Sequence, residues 1–271
     1  MKIIVLIDFS LYTNTLVNIA SNWAEVCGGQ LVLVHEVPRL VSALTDDNIR
    51  HKIIEYEKEE ALSNLEMLAK RNIPDRIPRY YEVTDKSLLD FLPQLISGSK
   101  DVLLMCGLKG TGLLKKIFIG SITNQVINEL NELTVGVPIK INHSIPDKLT
   151  IVSNPDHPVN TERLDQIITL LNGHLSDVDF ISIVKPDDNE NRTLNYSKEL
   201  VNKYKGRLST SYRIFSSKNV FNEIKSHMDN HGDSFLVLQK GSRSIDDFSY
   251  RQFFINRIIH DGSMPLIVLP D

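Results

Sequence analysis

Short, uninterrupted apolar runs alternate with helical stretches from one end of this chain to the other, and no other feature restricts its fold so tightly. Residues 2–7, 30–35, 77–83, 101–106 and 137–141 read as strands with continuous apolar cores. A half-buried strand alternates polar and apolar residues, whereas a continuous run belongs to a strand covered on both faces. Helical candidates lie between them at 12–27, 46–72, 86–97 and 121–131. Gly28-Gly29 closes the first, and Asp46-Asp47 sets negative charge at the start of the second, where unpaired N–H groups favour it. Such alternation implies right-handed crossovers and a largely parallel sheet with helices on both faces.

The series then restarts. Strands at 149–153, 178–184, 208–215, 235–239 and 266–269 are separated by helical stretches near 160–172, 193–205, 218–230 and 253–260. Two landmarks recur in order: Lys2-Ile3-Ile4-Val5 against Lys148-Leu149-Thr150-Ile151, and Gly136-Val137-Pro138-Ile139 against Ser263-Met264-Pro265-Leu266. A chain of 271 residues suits two domains of about 100–150 each. The polar, proline-containing stretch at 143–147 divides it into 1–144 and 145–271. The expected fold class is α/β: two tandem, doubly wound, five-stranded parallel-sheet domains.

Residues 107–121 carry the most specific chemistry. Gly107, Gly110 and Gly120-Ser121 are spaced Gly-x2-Gly-x9-Gly-Ser, after the strand that ends at Cys106 and before an amphipathic stretch opening at Ile122. A glycine-rich strand-to-helix connection offers bare backbone N–H groups and a helix N-terminus to an anion. Glycine alone lets backbone approach a phosphate closely or take positive φ without strain.

This spacing, with Asp8-Phe9-Ser10 ending the first strand and Val32-Leu33-Val34-His35 forming the second, resembles the ATP-binding branch of the universal stress protein family. In the second half the resemblance is architectural, carried by strand order and by Met264-Pro265-Leu266-Ile267-Val268-Leu269. It implies strand order 3-2-1-4-5, which brings Asp8 and Gly107 to the crevice where the order reverses; ligands bind at such switch points. It further implies ATP or a related adenine nucleotide as cofactor, with Mg²⁺ as an optional companion. Asp8 would bond the adenine or ribose. Gly107 and Gly110 would bring backbone to the ribose and α-phosphate, with Cys106 beside them. Gly120, Ser121 and Ile122 would cradle the outer phosphates, and Lys109, Lys115 and Lys116 offer nearby positive charge. The family usually has an apolar residue after the strand-two histidine; here Glu36 stands. Its carboxylate would accept from the adenine amino group or point to solvent.

Matching Asp101 with Asp233 sets Gln239 where Gly107 stands, Ser242 for Gly110, Gln252 for Gly120 and Phe253 for Ser121, while Asn154 meets Asp8. None of the phosphate-cradling glycines recurs, so the second half is expected not to bind nucleotide. The resemblance gives it a different role, since such domains pair through their last strands and a tandem chain supplies that partner within itself. A homodimer is a further option.

The remaining features exclude more than they add. A formal charge of −4 argues against a nucleic-acid platform. No apolar run approaches the ~20 residues of a membrane helix, and the apolar N-terminus stops at Asp8, too short for a signal peptide. Cys27 and Cys106 read as reduced, packed thiols, so the expected setting is cytoplasmic. His227 and His231 have a zinc-ligand spacing on a helix but no companions, and read as a solvated face. His35 reads as structural. Asp187-Asp188-Asn189-Glu190 reads as a loop. Ser10 and Ser121 have no recognisable base partner, and the Walker A pattern is absent. The function expected is a nucleotide-responsive regulatory module in stress physiology. The alternatives are slow Mg²⁺-dependent ATP hydrolysis at the same loop, or an interaction scaffold that uses no nucleotide.

Overall fold

A computed structural model describes residues 1–37, 46–99, 101–108, 119–171, 173–184, 190–240 and 254–271, with backbone only at 119–121. The first half runs β1 (Lys2–Ile7), α1 (Thr13–Cys27), β2 (Gln30–Glu36), α2 (Asp47–Asn72), β3 (Arg79–Thr84), α3 (Leu88–Ile96), β4 (Val102–Gly107), α4 (Ile119–Glu129) and β5 (Thr134–Val137). The second half repeats the order with β6 (Lys148–Val152), α5 (Thr161–Leu170), β7 (Asp177–Val184), α6 (Glu190–Tyr204), β8 (Ser209–Ser216), α7 (Val220–Asp229) and β9 (Ser234–Gln239). A helix at 254–261, α8, and β10 (Leu266–Leu269) complete it. Local chemistry marks the ends. Gly28 closes α1 in the left-handed conformation at φ 60°. Asp46 accepts from the Asn48 N–H at the start of α2, and Ser87 from the Asp90 N–H at the start of α3.

All ten strands form one sheet in the order β3-β2-β1-β4-β5-β10-β9-β6-β7-β8. Each half therefore has the expected 3-2-1-4-5 arrangement. Every pairing is parallel except that of β5 with β10, which is antiparallel and joins the halves. Leu104 faces Thr134 across β4 and β5, and Leu236 faces Leu266 across β9 and β10. Thr134, Val135 and Gly136 thus correspond to Leu266, Ile267 and Val268. Val135 lies opposite Ile267, flanked by Gly136↔Leu266 and Thr134↔Val268, so a local two-fold axis passes through the Val135–Ile267 pair.

The fifth strand differs from its expected position at 137–141. It occupies Thr134–Val137 and stops at Pro138, which has no N–H to extend the ladder. Pro138 follows its strand while Pro265 precedes β10, so the match of these two prolines is not a structural equivalence. The match of Lys2 with Lys148 is one: each opens the central strand of its half, facing Val102 and Ser234 respectively.

On one face of the sheet a single core runs through both halves. Val17, Trp23 and Leu65 under α1 and α2 join Leu164, Leu200 and Tyr204 under α5 and α6, with Val135 and Ile267 between. On the other face, Ile4, Val34, Leu92 and Val126 form one cluster beneath α3 and α4. A separate cluster beneath α7 and α8 contains Ile224, Leu236 and Ile258 and takes in Leu108 from the first half. Full burial of such side chains contributes about 1.5–3 kcal/mol each. Trp23 ties the halves further: its indole N–H donates to the Ser144 carbonyl at 2.8 Å, and its ring lies 6.4 Å from that of Phe235. At Gly136 the Leu108 side chain packs so closely that an added Cβ would meet its Cδ2 at 2.6 Å and force it to shift. Among the described residues no helix is long and apolar enough to cross a membrane.

Candidate functional site

Strand pairing itself opens a crevice in the first half. β1 stays paired with β2 as far as Ile7↔His35, and β4 with β5 as far as Gly107↔Val137. Between β1 and β4 the ladder stops earlier, at Val5↔Met105. The last residues of the two central strands therefore part, at the point where the sheet order reverses and connections leave toward opposite faces. Asp8 stands at one lip and Gly107 at the other.

The β1 lip is a built turn. Asp8 Oδ1 accepts from the Ser10 N–H at 3.1 Å and from the Thr13 hydroxyl at 3.3 Å, which holds the exposed carboxylate over the strand end. Phe9 takes φ 53°, a left-handed conformation unusual for a bulky residue. Such strain costs about 1–3 kcal/mol and survives only where surroundings over-determine it. Here the Phe9 ring packs at 4.5 Å on that of His35, and His35 Nδ1–H donates to the Ile7 carbonyl at 2.8 Å. Burial pushes the His35 imidazole below its ordinary range, outweighing the opposing effects of that hydrogen bond and of Asp8 and Glu36. His35 is a neutral strut, in keeping with its structural reading from sequence. Phe9 and Thr13 were missed; an Asp followed two residues later by Ser and five later by Thr is the signal that could have found the turn.

The β4 lip continues into α4. Ile119, Gly120 and Ser121 are the first described residues of that helix, and the residues just before them lie outside the described ones. The Thr123 hydroxyl donates to the Gly107 carbonyl at 3.0 Å and fastens the first turn of α4 to the end of β4. Sequence reasoning overlooked Thr123. Gly110 and Lys109, Lys115 and Lys116 lie outside the described residues.

The structure describes the side-chain surroundings of three more predicted residues, Glu36, Cys106 and Ile122. Glu36 Oε2 accepts from the Leu88 N–H at 3.0 Å and so caps the start of α3. Cys106 is buried among Leu6, Val34 and Val126, and burial pushes its thiol up to about 12. Ile122 packs against the same cluster. Cys106 and Ile122 have only backbone to offer the crevice.

The second half forms the same crevice and fills part of it. β6 and β9 stay paired as far as Ile151↔Val237, while β9 runs on with β10 to Gln239↔Leu269. By register Gln239 occupies the place of Gly107. Its Oε1 accepts from the Asn160 N–H at 2.7 Å, and its Nε2 donates to the Pro270 carbonyl at 3.0 Å. Asn160 Nδ2 donates to the same carbonyl at 3.1 Å. A side-chain amide thus closes the space that a glycine leaves. Asn154, in the place of Asp8, uses its Oδ1 to accept from the Asp156 N–H. Ser182 replaces His35 and keeps its bond, donating to the Ser153 carbonyl at 2.9 Å. A cavity of about 260 Å³ remains on the β7 side, lined by Ser153, Asp156, Ser182 and Arg192 among others. Ser242, Gln252 and Phe253 lie outside the described residues, as do Asp187 and Asp188.

Elsewhere, His227 corrects its expected place on a solvated face. It is buried beside Asp179 of β7, 3.4 Å from the carboxylate, and stacks on His231 at 4.3 Å. Burial raises the Asp179 carboxyl, but bonding from His227 and Ser211 and the nearby charge of Arg213 outweigh it and hold the group below the usual range. Among the described residues no three metal-ligating side chains are grouped to hold an ion. A cleft of about 730 Å³ lies at the opposite end of the sheet, between Lys2, Gln30, Arg76 and Asp101. It stands at the amino ends of the strands, away from the crevice.

No family model matches the sequence, and no curated protein matches it. Solved structures do. A universal stress protein from Archaeoglobus fulgidus DSM 4304 superposes with a TM-score of 0.66 at 12% identity, covering 99% of this chain and 98% of that one. The fold is that of the universal stress proteins. A candidate universal stress protein from Pseudomonas aeruginosa UCBPP-PA14 gives 0.59 at 12% identity, over 100% and 93% of the two chains. A functionally unknown protein from Pseudomonas aeruginosa PAO1 gives 0.61 at 11% identity, over 100% and 92%. Coverage this complete in both directions extends the universal stress protein likeness over both halves.

Proposed function

We propose that this chain is a tandem universal stress protein whose first half binds an adenine nucleotide, ATP foremost, and whose second half serves as its pairing partner. One contrast carries the proposal. The same strand-end position is Gly107 in one half and the hydrogen-bonded Gln239 in the other, within otherwise matching crevices. In the first half Asp8 presents a carboxylate acceptor for ribose hydroxyls or the base amino group. On this reading the amides of Gly120 and Ser121 lie near the start of α4, where a helix carries roughly half a positive charge. Charge-assisted bonds from such amides to phosphate contribute about 1.5–3 kcal/mol each before ordering costs. The bound nucleotide supplies a polyanionic tail that neutralises this end of α4. Leu130, just past α4, accepts from Lys240 Nζ at 2.9 Å, and Asn128 of α4 bonds Asn256 of α8 at 3.1 Å. Occupancy at the front of α4 therefore bears on the junction of the halves, and regulation follows where two arrangements differ in nucleotide affinity.

Calorimetric titration with ATP, ADP and AMP tests this. Wild type should bind, Gly107→Val and Asp8→Ala should each weaken binding by tenfold or more, and Gln239→Gly should leave the first-half affinity unchanged. Absence of binding by wild type, or affinity indifferent to Gly107→Val, overturns the proposal.

A further inference from the structure

Thr123 stands inside α4, yet its hydroxyl does not serve that helix. A helical threonine ordinarily returns its hydroxyl to the carbonyl one turn back. Thr123 is buried and donates instead to the Gly107 carbonyl on β4, at 3.0 Å. The Cys106 thiol is a further hydrogen-bond neighbour of the same side chain.

The direction of that carbonyl gives the bond its meaning. In a trans peptide the C=O and the following N–H point to opposite sides. The Leu108 N–H donates to the Val137 carbonyl on β5 at 2.7 Å, so the Gly107 carbonyl is directed to the other side, toward β1. Further back on this side the Asp101 carbonyl accepts from the Lys2 N–H of β1. At Gly107 the pairing with β1 is already over, having ended at Val5↔Met105. Continued pairing would give the Gly107 carbonyl the Asp8 N–H. With the strands parted this oxygen faces the crevice, and Thr123 donates to it. The second half forms the matching peptide, with the Lys240 N–H donating to the Leu269 carbonyl. The stretch from that bond to the last strand is equally long in both halves, which sets Ile255 in the place of Thr123. Ile255 is buried in the apolar cluster beneath α7 and α8. The half without the glycine is also without the hydroxyl.

We propose that Thr123 is a positioning residue that adapts the first-half crevice to an anionic ligand, so that the site favours phosphorylated nucleotide over bare nucleoside. The inference rests on the reading of this crevice as a nucleotide site. A carbonyl oxygen and a phosphate oxygen are both acceptors, and two acceptors facing each other repel. Glycine has no side chain with which to cover its own carbonyl. Donation from Thr123 occupies that oxygen and, with Val137 on the Leu108 N–H, pins the peptide from both sides. An uncharged nucleoside is indifferent to the difference.

Calorimetric titration of the full chain with ATP and with adenosine tests this. Thr123→Val introduces a β-branched apolar side chain of the kind that the second half accommodates at Ile255. It should weaken ATP binding by about tenfold, the worth of one hydrogen bond, and leave adenosine binding unchanged. Thr123→Ala should give the same pattern, while Thr123→Ser, which keeps the hydroxyl, should bind ATP as wild type does. A threonine that merely held the fold together would weaken both ligands alike. Three results overturn the inference while the nucleotide reading stands: ATP affinity indifferent to loss of the hydroxyl, equal losses for ATP and adenosine, or a serine variant as weak as the valine. Wild type that binds neither ligand overturns both.

Discussion

At the residue scale, His35 shows how a side chain that looks like chemistry can be a strut. Its Nδ1–H holds the Ile7 carbonyl and its ring supports the strained Phe9. The folded protein depresses this imidazole below its ordinary range, chiefly by burial. Just below the unfolded value of about 6.5 the unfolded chain therefore binds more protons than the folded one. Stability should be full at pH 7.5 and decline as pH falls through the histidine range. The difference in Tm between pH 7.5 and pH 5.5 should shrink in His35→Gln, whose amide can still donate to the carbonyl; an undiminished difference would remove His35 from the account. The position of His35 at the end of a continuous apolar run was legible in the sequence. Its partners were not, because Ile7 lies on another strand and Phe9 owes its contact to a backbone conformation that no residue pattern announces.

Among the elements, most boundaries follow from local signals. Gly28 closing α1, Asp46 opening α2 and the length of α2 were readable because each depends on residues a turn or less away. β5 was misplaced because Val137-Pro138-Ile139 looks like a strand until the missing proline N–H is weighed against the ladder with β10. The front of α3 shows another limit. Ser87 caps it locally, but a second cap comes from Glu36 on β2, and only the topology brings the two together. Glu36→Ala should destabilise the protein by about 0.5–2 kcal/mol in urea denaturation and leave nucleotide affinity within twofold. A large loss of affinity with no loss of stability would return Glu36 to the base subsite. The glycine spacing of 107–121 could be read directly, whereas Thr123 fastening Gly107 to α4 could not, since threonine in an apolar helix face signals nothing by itself.

In the whole molecule the decisive feature is the seam. Its core runs unbroken on one face from α2 to α6, so the halves should unfold together as one cooperative unit. Trp23 is the sole tryptophan and sits against Ser144 and Phe235 at the junction, which makes its emission a report on docking. Thermal curves followed by tryptophan fluorescence and by far-ultraviolet circular dichroism should coincide. A fluorescence transition that precedes the loss of helix would mean that the halves part before either melts. The seam also bears on how unlike the two crevices can become. In an assembly of two identical chains, every substitution lands at both ends of the axis, and a change that blocks one crevice blocks the other. Covalent continuity lifts that constraint: the Gln239 amide can bridge Asn160 and Pro270 at one strand end while the matching end carries Gly107, and each half is free to change without the other.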